Sequence, residues 1–269
     1  MDRPPVVAGQ FYTADPRALG LEVASYLALA EEPESAPTLL AMVPHAGYVF
    51  SGPVAGRTLG EARLAPLVVL LGPNHTGLGQ PLAVWPSGRW AVPGGGLEVD
   101  AELASALLRA EPRLAADTSA HQREHSLEVL VPFLERKDPR TTIVPVAVAE
   151  HRYAELEAVA ASLAGVLGAL GRPASLVVSS DMSHFLPDSQ ARRVDARALE
   201  PVLALDPRGL YDTVRSQGIS MCGVLPMTLG LLAARALGAT SARLAAYATS
   251  AAASGDASRV VGYAGVLVR

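Results

Sequence analysis

Cysteine occurs once in the chain, lysine occurs once, and aromatic residues make up only 5% of it. A lone thiol, Cys222, excludes an internal disulfide; this fits a reducing compartment and leaves the sulfur free for chemistry. Charged residues are also sparse, at 18%, and the formal net charge of -4 provides no basic footprint of the kind needed to neutralise phosphates. No nucleic-acid partner is expected. Nor is there a long apolar run: Gly, Pro or Arg interrupts each one well before the roughly 20 residues that a membrane-spanning helix needs. The start, Met1-Asp2-Arg3-Pro4-Pro5, is not a basic segment followed by an apolar block. The expectation is a cytoplasmic protein with no membrane contact.

What is present is a large apolar fraction, 50% of 269 residues, enough for a sizeable buried core. Short blocks rich in Val, Leu and Ile alternate with helical stretches, as when buried strands are joined by crossover helices. Strands are predicted at Leu39–Val43, Leu67–Leu71, Leu82–Trp85, Thr142–Val146, Leu176–Ser179, Arg243–Ala248 and Val261–Val268. Helices are predicted at Pro16–Ala30, Val54–Ala62, Asp100–Ala110, Glu124–Glu135, Arg152–Leu170, Ser189–Leu203, Pro207–Ser216 and Gly223–Leu237. Asp15 before Pro16 and Asp206 before Pro207 are helix-start signals. The stretch from Trp85 to Gly96, rich in Pro and Gly, reads as a turn-rich loop or hairpin. The economical architecture is a single α/β domain over residues 1–269, with a mixed, mostly parallel central sheet between two helical layers, a three-layer α/β/α arrangement.

Three predicted strands end in polar clusters: Pro44-His45-Ala46-Gly47-Tyr48, Gly72-Pro73-Asn74-His75, and Ser180-Asp181-Met182-Ser183-His184. In open α/β sheets ligands sit beyond the carboxyl ends of the strands, so these loops are expected to converge. A single such histidine is ordinarily a hydrogen-bonded loop residue; histidines at several equivalent strand ends point to a pocket. Cys222 precedes an apolar helical stretch, where free N–H groups and the helix dipole favour a thiolate, a soft metal ligand. The alternative is a small buried hydrophobe. The string His121-Gln122-Arg123-Glu124-His125 satisfies the H-x-x-E-H pattern of inverted zinc peptidases if both histidines lie on one helix. If the helix begins near Glu124 instead, His125 and Glu128 share a face as a base and its orienting carboxylate.

Taken together, Val43-Pro44-His45-Ala46-Gly47-Tyr48, Leu71-Gly72-Pro73-Asn74-His75, Glu124-His125-Ser126-Leu127-Glu128, Ser180-Asp181-Met182-Ser183-His184, Met221-Cys222-Gly223 and the ending Gly255-Asp256 with Val260-Val261-Gly262-Tyr263-Ala264-Gly265 resemble the MEMO family over nearly the whole chain. Its bacterial and archaeal members are called AmmeMemoRadiSam system protein B. That resemblance implies association with an AMMECR1-like protein and a radical-SAM protein. It also implies a fold similar to the catalytic subunit of class III extradiol dioxygenases. By the same resemblance His45, His75 and Cys222 match metal ligands, and Asp181 and His184 line their pocket. The family is described as binding iron or copper, and its human member as a cell-motility mediator recognising phosphotyrosine peptides. Phe11 and Phe50 stand where the human relative has tryptophan and tyrosine, keeping the rings without their polar handles.

The leading expectation is a redox enzyme of the dioxygenase type acting on a small aromatic substrate. One Fe(II) would be held by His45, His75 and Cys222, with Cu or Zn as the alternatives a softer thiolate site admits. His184 or His125 would move the substrate proton, oriented by Asp181 or Glu128. Phe11, Tyr48, Phe50 and Asn74 would line the substrate pocket. A non-catalytic metal- or peptide-binding scaffold is the second expectation, and a zinc hydrolase using His121 and His125 the third.

Overall fold

A computed structural model describes residues 2–269. Its strands are β1 (Leu40–Val43), β2 (Leu67–Pro73), β3 (Leu82–Val84), β4 (Arg89–Val92), β5 (Gly95–Val99), β6 (Ala115–Ala116), β7 (Thr142–Val148), β8 (Ala174–Ser179), β9 (His184–Leu186), β10 (Ala242–Thr249) and β11 (Val260–Val268). Its helices are α1 (Pro16–Leu27), α2 (Tyr48–Glu61), α3 (Ala101–Ala110), α4 (Val131–Lys137), α5 (Tyr153–Gly168), α6 (Asp188–Leu203), α7 (Pro207–Ser216), α8 (Val224–Ala236) and the short α9 (Ala251–Ser254).

The apolar runs of β1, β2, β7 and β8 are continuous because both faces of these strands are covered. The main sheet order is β10-β11-β1-β8-β2-β7-β3-β6. Its centre, β1-β8-β2-β7, is parallel, whereas β11 and β10 add antiparallel strands at one side and β3 pairs antiparallel with β7. Side chains alternate across the sheet, so one strand serves two cores. Leu40, Met42, Val69, Leu71 and Val178 pack under α3, α5, α6, α7 and α8. Ala41, Val43, Val68, Leu70 and Val177 pack under α1, α2 and α4. The three-layer α/β/α arrangement expected from the sequence is the one observed.

Two departures bear on function. Helix α2 starts at Tyr48, not Val54, with Pro53 inside it. The bond that proline cannot donate would go to the carbonyl of Val49, an exposed residue on the first turn, so the cost is small. The helix expected over Glu124–Glu135 is instead a loop through Leu127, a 3-10 turn at Glu128–Leu130, and α4. Glu124 is the reason: its carboxylate folds back to accept the N–H of Ser126 at 2.9 Å, competing with helical geometry. The Trp85–Gly96 stretch resolves as the β4–β5 hairpin, and Arg3 pairs with Trp90 alongside it.

Candidate metal centre

His45 follows β1 by two positions, His75 follows β2 by two, and Asp181 follows β8 by two. Because β8 lies between β1 and β2, its final residues sit between the two histidine loops. Ser179, the last residue of β8, donates its hydroxyl proton to the Ser126 carbonyl at 2.5 Å, and its oxygen lies 2.7 Å from His45 Nδ1. The shared oxygen must therefore accept from His45 Nδ1–H, which leaves the Nε2 lone pair as an acceptor facing the Cys222 sulfur, open to its thiol proton or to an ion. His45 also donates its main-chain N–H to Asp181 Oδ1 at 2.7 Å. Burial, together with the nearby His75 and His125, holds the His45 imidazole well below its ordinary range, as a neutral ligand must be.

His75 is anchored by Glu124, which takes its Nδ1–H at 2.9 Å on one oxygen and its main-chain N–H at 2.5 Å on the other. Burial opposes a charge on His75, but this hydrogen bond and the Glu124 charge outweigh it and raise its pKa. Glu124, despite burial, is held down at about 2, chiefly by the same bond. The His125 ring stacks on His75 with centroids 4.9 Å apart and meets His45 edge-on at 5.5 Å. Phe11 packs against His125 at 4.6 Å, and burial lowers the His125 pKa. One nitrogen from each of His45, His75 and His125 lies within 4.8 Å of the others. Two metal–nitrogen bonds of about 2.1 Å placed back to back span at most roughly 4.2 Å, so one ion would draw the trio in by a few tenths of an ångström or more. Anchored Nδ1 atoms on His45 and His75 are the supporting hydrogen bonds such ligands ordinarily have.

Cys222 lies beside this trio, its sulfur 3.3 Å from His45 Nε2 and accepting the Asp181 N–H at 3.1 Å. The expected depression of its thiol pKa is not found. Burial and the neighbouring Asp181 charge push it up, and the backbone N–H groups do not compensate. Its turn is pressed against β8: a Cβ on Gly223 would come within 2.3 Å of Ser180 Cβ, so only glycine fits there. Asp181 is buried, and burial lifts its carboxyl above the ordinary range. His184 stands on β9, with its Nδ1 at 2.8 Å from the Ser220 carbonyl and so acting as donor, leaving Nε2 without a hydrogen-bond partner among the described residues.

Several expectations are corrected. Glu128 does not orient His125: its carboxylate is occupied by Arg3 Nη1 at 2.6 Å, the Val6 and Val7 N–H groups, and the Tyr12 hydroxyl. His121 shares no helix with His125. It is buried against Trp85 and Trp90, with Nε2 bonded to the Ala83 carbonyl at 3.0 Å, and the zinc-peptidase reading falls with the helix it needs. Asn74 shapes its own loop, accepting from Thr76 and Gly77 and donating to Leu78. Tyr48 commits its hydroxyl to the Val129 carbonyl at 2.6 Å, so it offers a ring but no polar handle. Phe11, Tyr48 and Phe50 line one open groove of about 460 Å³. Glu124 and Ser179 were missed as site residues. The only signal for Ser179 is a polar residue closing an otherwise apolar strand.

These features define an α/β protein with a cluster of histidines at the carboxyl edge of a parallel sheet. The chain belongs to the Memo family: the family model described as "Memo-like protein" matches residues 3–267. A MEMO1 family protein of Methanopyrus kandleri is 40% identical over 281 residues, covering 100% of this chain and 99% of that one. A MEMO1 family protein of Methanothermobacter thermautotrophicus is 36% identical, covering 98% and 99%, and one from Aquifex aeolicus is 38% identical, covering 98% of each.

Proposed function

We propose that the protein holds one transition-metal ion, Fe(II), between His45, His75 and His125, with the Cys222 sulfur as a further donor on the His45 side. It would use that ion in dioxygenase-type redox chemistry on a small aromatic substrate. The observation that carries this reading is the convergence of His45, His75 and His125, two of them with Nδ1 already committed to Ser179 and Glu124. Nitrogen and thiolate donors also suit Cu or Zn. The bound ion would supply a one-electron couple and Lewis-acid polarisation at open positions. The protein's own groups do the rest. Glu124 and Ser179 fix the imidazole tautomers. The groove lined by Phe11 and Phe50, which adjoins the histidines only through the Phe11–His125 contact, would receive an aromatic ring. His184 Nε2, without a partner among the described residues, carries the substrate proton, and Asp181, raised toward neutrality by burial, buffers it.

Anaerobic reconstitution with Fe(II), metal analysis and oxygen uptake over a panel of catechols test this reading. One equivalent of iron that is lost in His45→Ala, with turnover in the loaded protein, is the expected result; wild-type protein that takes up no iron sinks it. An AMMECR1-like protein and a radical-SAM protein are the proposed partners, and a scaffold reading has its own observation. Val49 and Phe50 on the first turn of α2 are 62% and 38% exposed beside the groove, apolar surface that a partner segment could cover. Partner capture that survives His45→Ala, without turnover in wild type, would favour that second reading.

A further inference from the structure

Arg3 takes no part in the chemistry proposed above, yet it is 1% exposed and every donor nitrogen of its guanidinium is engaged. Nε donates to the His121 carbonyl at 2.9 Å, Nη2 to the Glu124 carbonyl at 2.6 Å, and Nη1 to Glu128 Oε2 at 2.6 Å and the Pro4 carbonyl at 3.4 Å. The guanidinium carbon lies 4.4 Å from the centre of the Trp90 ring. Arg3 is itself pinned to the hairpin, its N–H donating to the Arg89 carbonyl and its carbonyl accepting from Ala91 N–H.

Two of these acceptors are main-chain carbonyls of the irregular loop that carries Glu124 and His125. That loop belongs to no helix or strand, and its own main-chain bonds are isolated turn contacts such as Glu124 N–H to the His121 carbonyl. Its place is therefore set by side chains reaching in from elsewhere. The same amino-terminal arm supplies the Val6, Val7 and Tyr12 donors to Glu128 and lays Phe11 on His125.

We infer that Arg3 is a positioning residue for the metal centre: by gripping the 121–128 loop it sets His125 directly and His75 through Glu124. The inference rests on the metal-binding reading for its consequence, but not for the loop geometry itself. A lysine keeps a charge for Glu128 but cannot reach three acceptors in the plane of a guanidinium fork.

The test compares wild type with Arg3→Gln, Arg3→Lys and Gly209→Ala, the last crowding the Asp206 cap of α7 in the opposite helical layer as a control for general destabilisation. In the metal-free full-length chain, amide exchange at residues 121–127 and at His75 should accelerate at least tenfold in both Arg3 variants, with β1 and β8 unchanged and Gly209→Ala leaving the loop unaffected. Loaded with Co(II), both Arg3 variants should shift the visible ligand-field bands and bind roughly 10–100-fold more weakly, as when a ligand's supporting shell is lost. Arg3→Lys retains the Glu128 pair, which keeps the comparison usable should Arg3→Gln fail to fold. Unchanged loop exchange overturns the inference, as does a wild-type Co(II) spectrum and affinity in the variants. If wild type binds no Co(II), the metal reading is what fails, and exchange alone decides whether Arg3 positions the loop.

Discussion

Both oxygens of Glu124 are engaged at His75, one on Nδ1–H and one on the main-chain N–H, so a single buried carboxylate fixes both the ring and the loop that carries it. Glu124→Gln keeps the size but gives up the charge, and the raised pKa of His75 depends on that charge. The expected result is metal binding weaker by roughly 10–100-fold, read by chelator competition, with little change in far-UV circular dichroism. His121 illustrates a different consequence of burial. Its Nε2–H is committed to the Ala83 carbonyl, and a second proton would place a charge among Trp85, Trp90 and Arg3, so its pKa falls to about 4 from 6.5. The unfolded chain thus binds the proton more readily than the folded one. Stability contributed by the neutral ring is complete above about pH 6.5 and is lost as pH falls toward 4, by about 3 kcal/mol. Urea midpoints measured across that window should fall more steeply for wild type than for His121→Gln; parallel curves would refute the assignment. His45 and His75 were legible because strand-end position alone marks them. Glu124, Ser179 and Arg3 were not, because their meaning lies in partners far along the chain, 49 residues away for the Glu124–His75 bond.

Helix α1 packs on α2 through Tyr26, and Gly56 is what lets the two helices approach. A Cβ there would come within 2.3 Å of Tyr26 Cβ and 2.5 Å of its carbonyl carbon, and backbone atoms cannot swing aside. Gly56→Ala is expected to destabilise by about 1–3 kcal/mol through overpacking. Gly20, within α1, has open space around its missing Cβ, so Gly20→Ala should stabilise by up to about 1 kcal/mol. Denaturant midpoints of the two variants test the contrast, and equal shifts would contradict it. At this scale the sequence was most legible where period and caps agree: α7 has the predicted bounds, with Asp206 as its N-cap accepting from Gly209 N–H. It was least legible where a side chain overrides local preference. Pro53 masked the start of α2, and Glu124 turned the start of an expected helix into the loop that carries His125.

Across the whole molecule, the parallel order β1-β8-β2 brings together the imidazoles at positions 45 and 75, and the irregular loop after β6 adds the one at 125. The two-faced alternation that makes a three-layer fold could be read from continuous apolar strands. The strand order could not, since it is decided by how crossovers pack and not by any local pattern. Nothing in the unfolded chain holds these nitrogens within bonding distance of one ion, so a metal that binds the folded state should stabilise it by mass action. At a free metal concentration of about 100 times the dissociation constant the gain is about 2.7 kcal/mol. For a chain of 269 residues that is a rise in melting temperature of roughly 5 °C. Zn(II) avoids redox complications and fits the same donors, so calorimetric scans with Zn(II) and with chelator should differ by about that amount for wild type. The difference should vanish in His45→Ala, whose lost nitrogen belongs both to the imidazole trio and to the His45–His75–Cys222 set, and should persist in Cys222→Ser if the imidazole trio carries most of the binding. A shift that survives His45→Ala would place the ion elsewhere; one that vanishes in Cys222→Ser would make the thiol, next to His45 Nε2 at 3.3 Å, a principal ligand in place of His125.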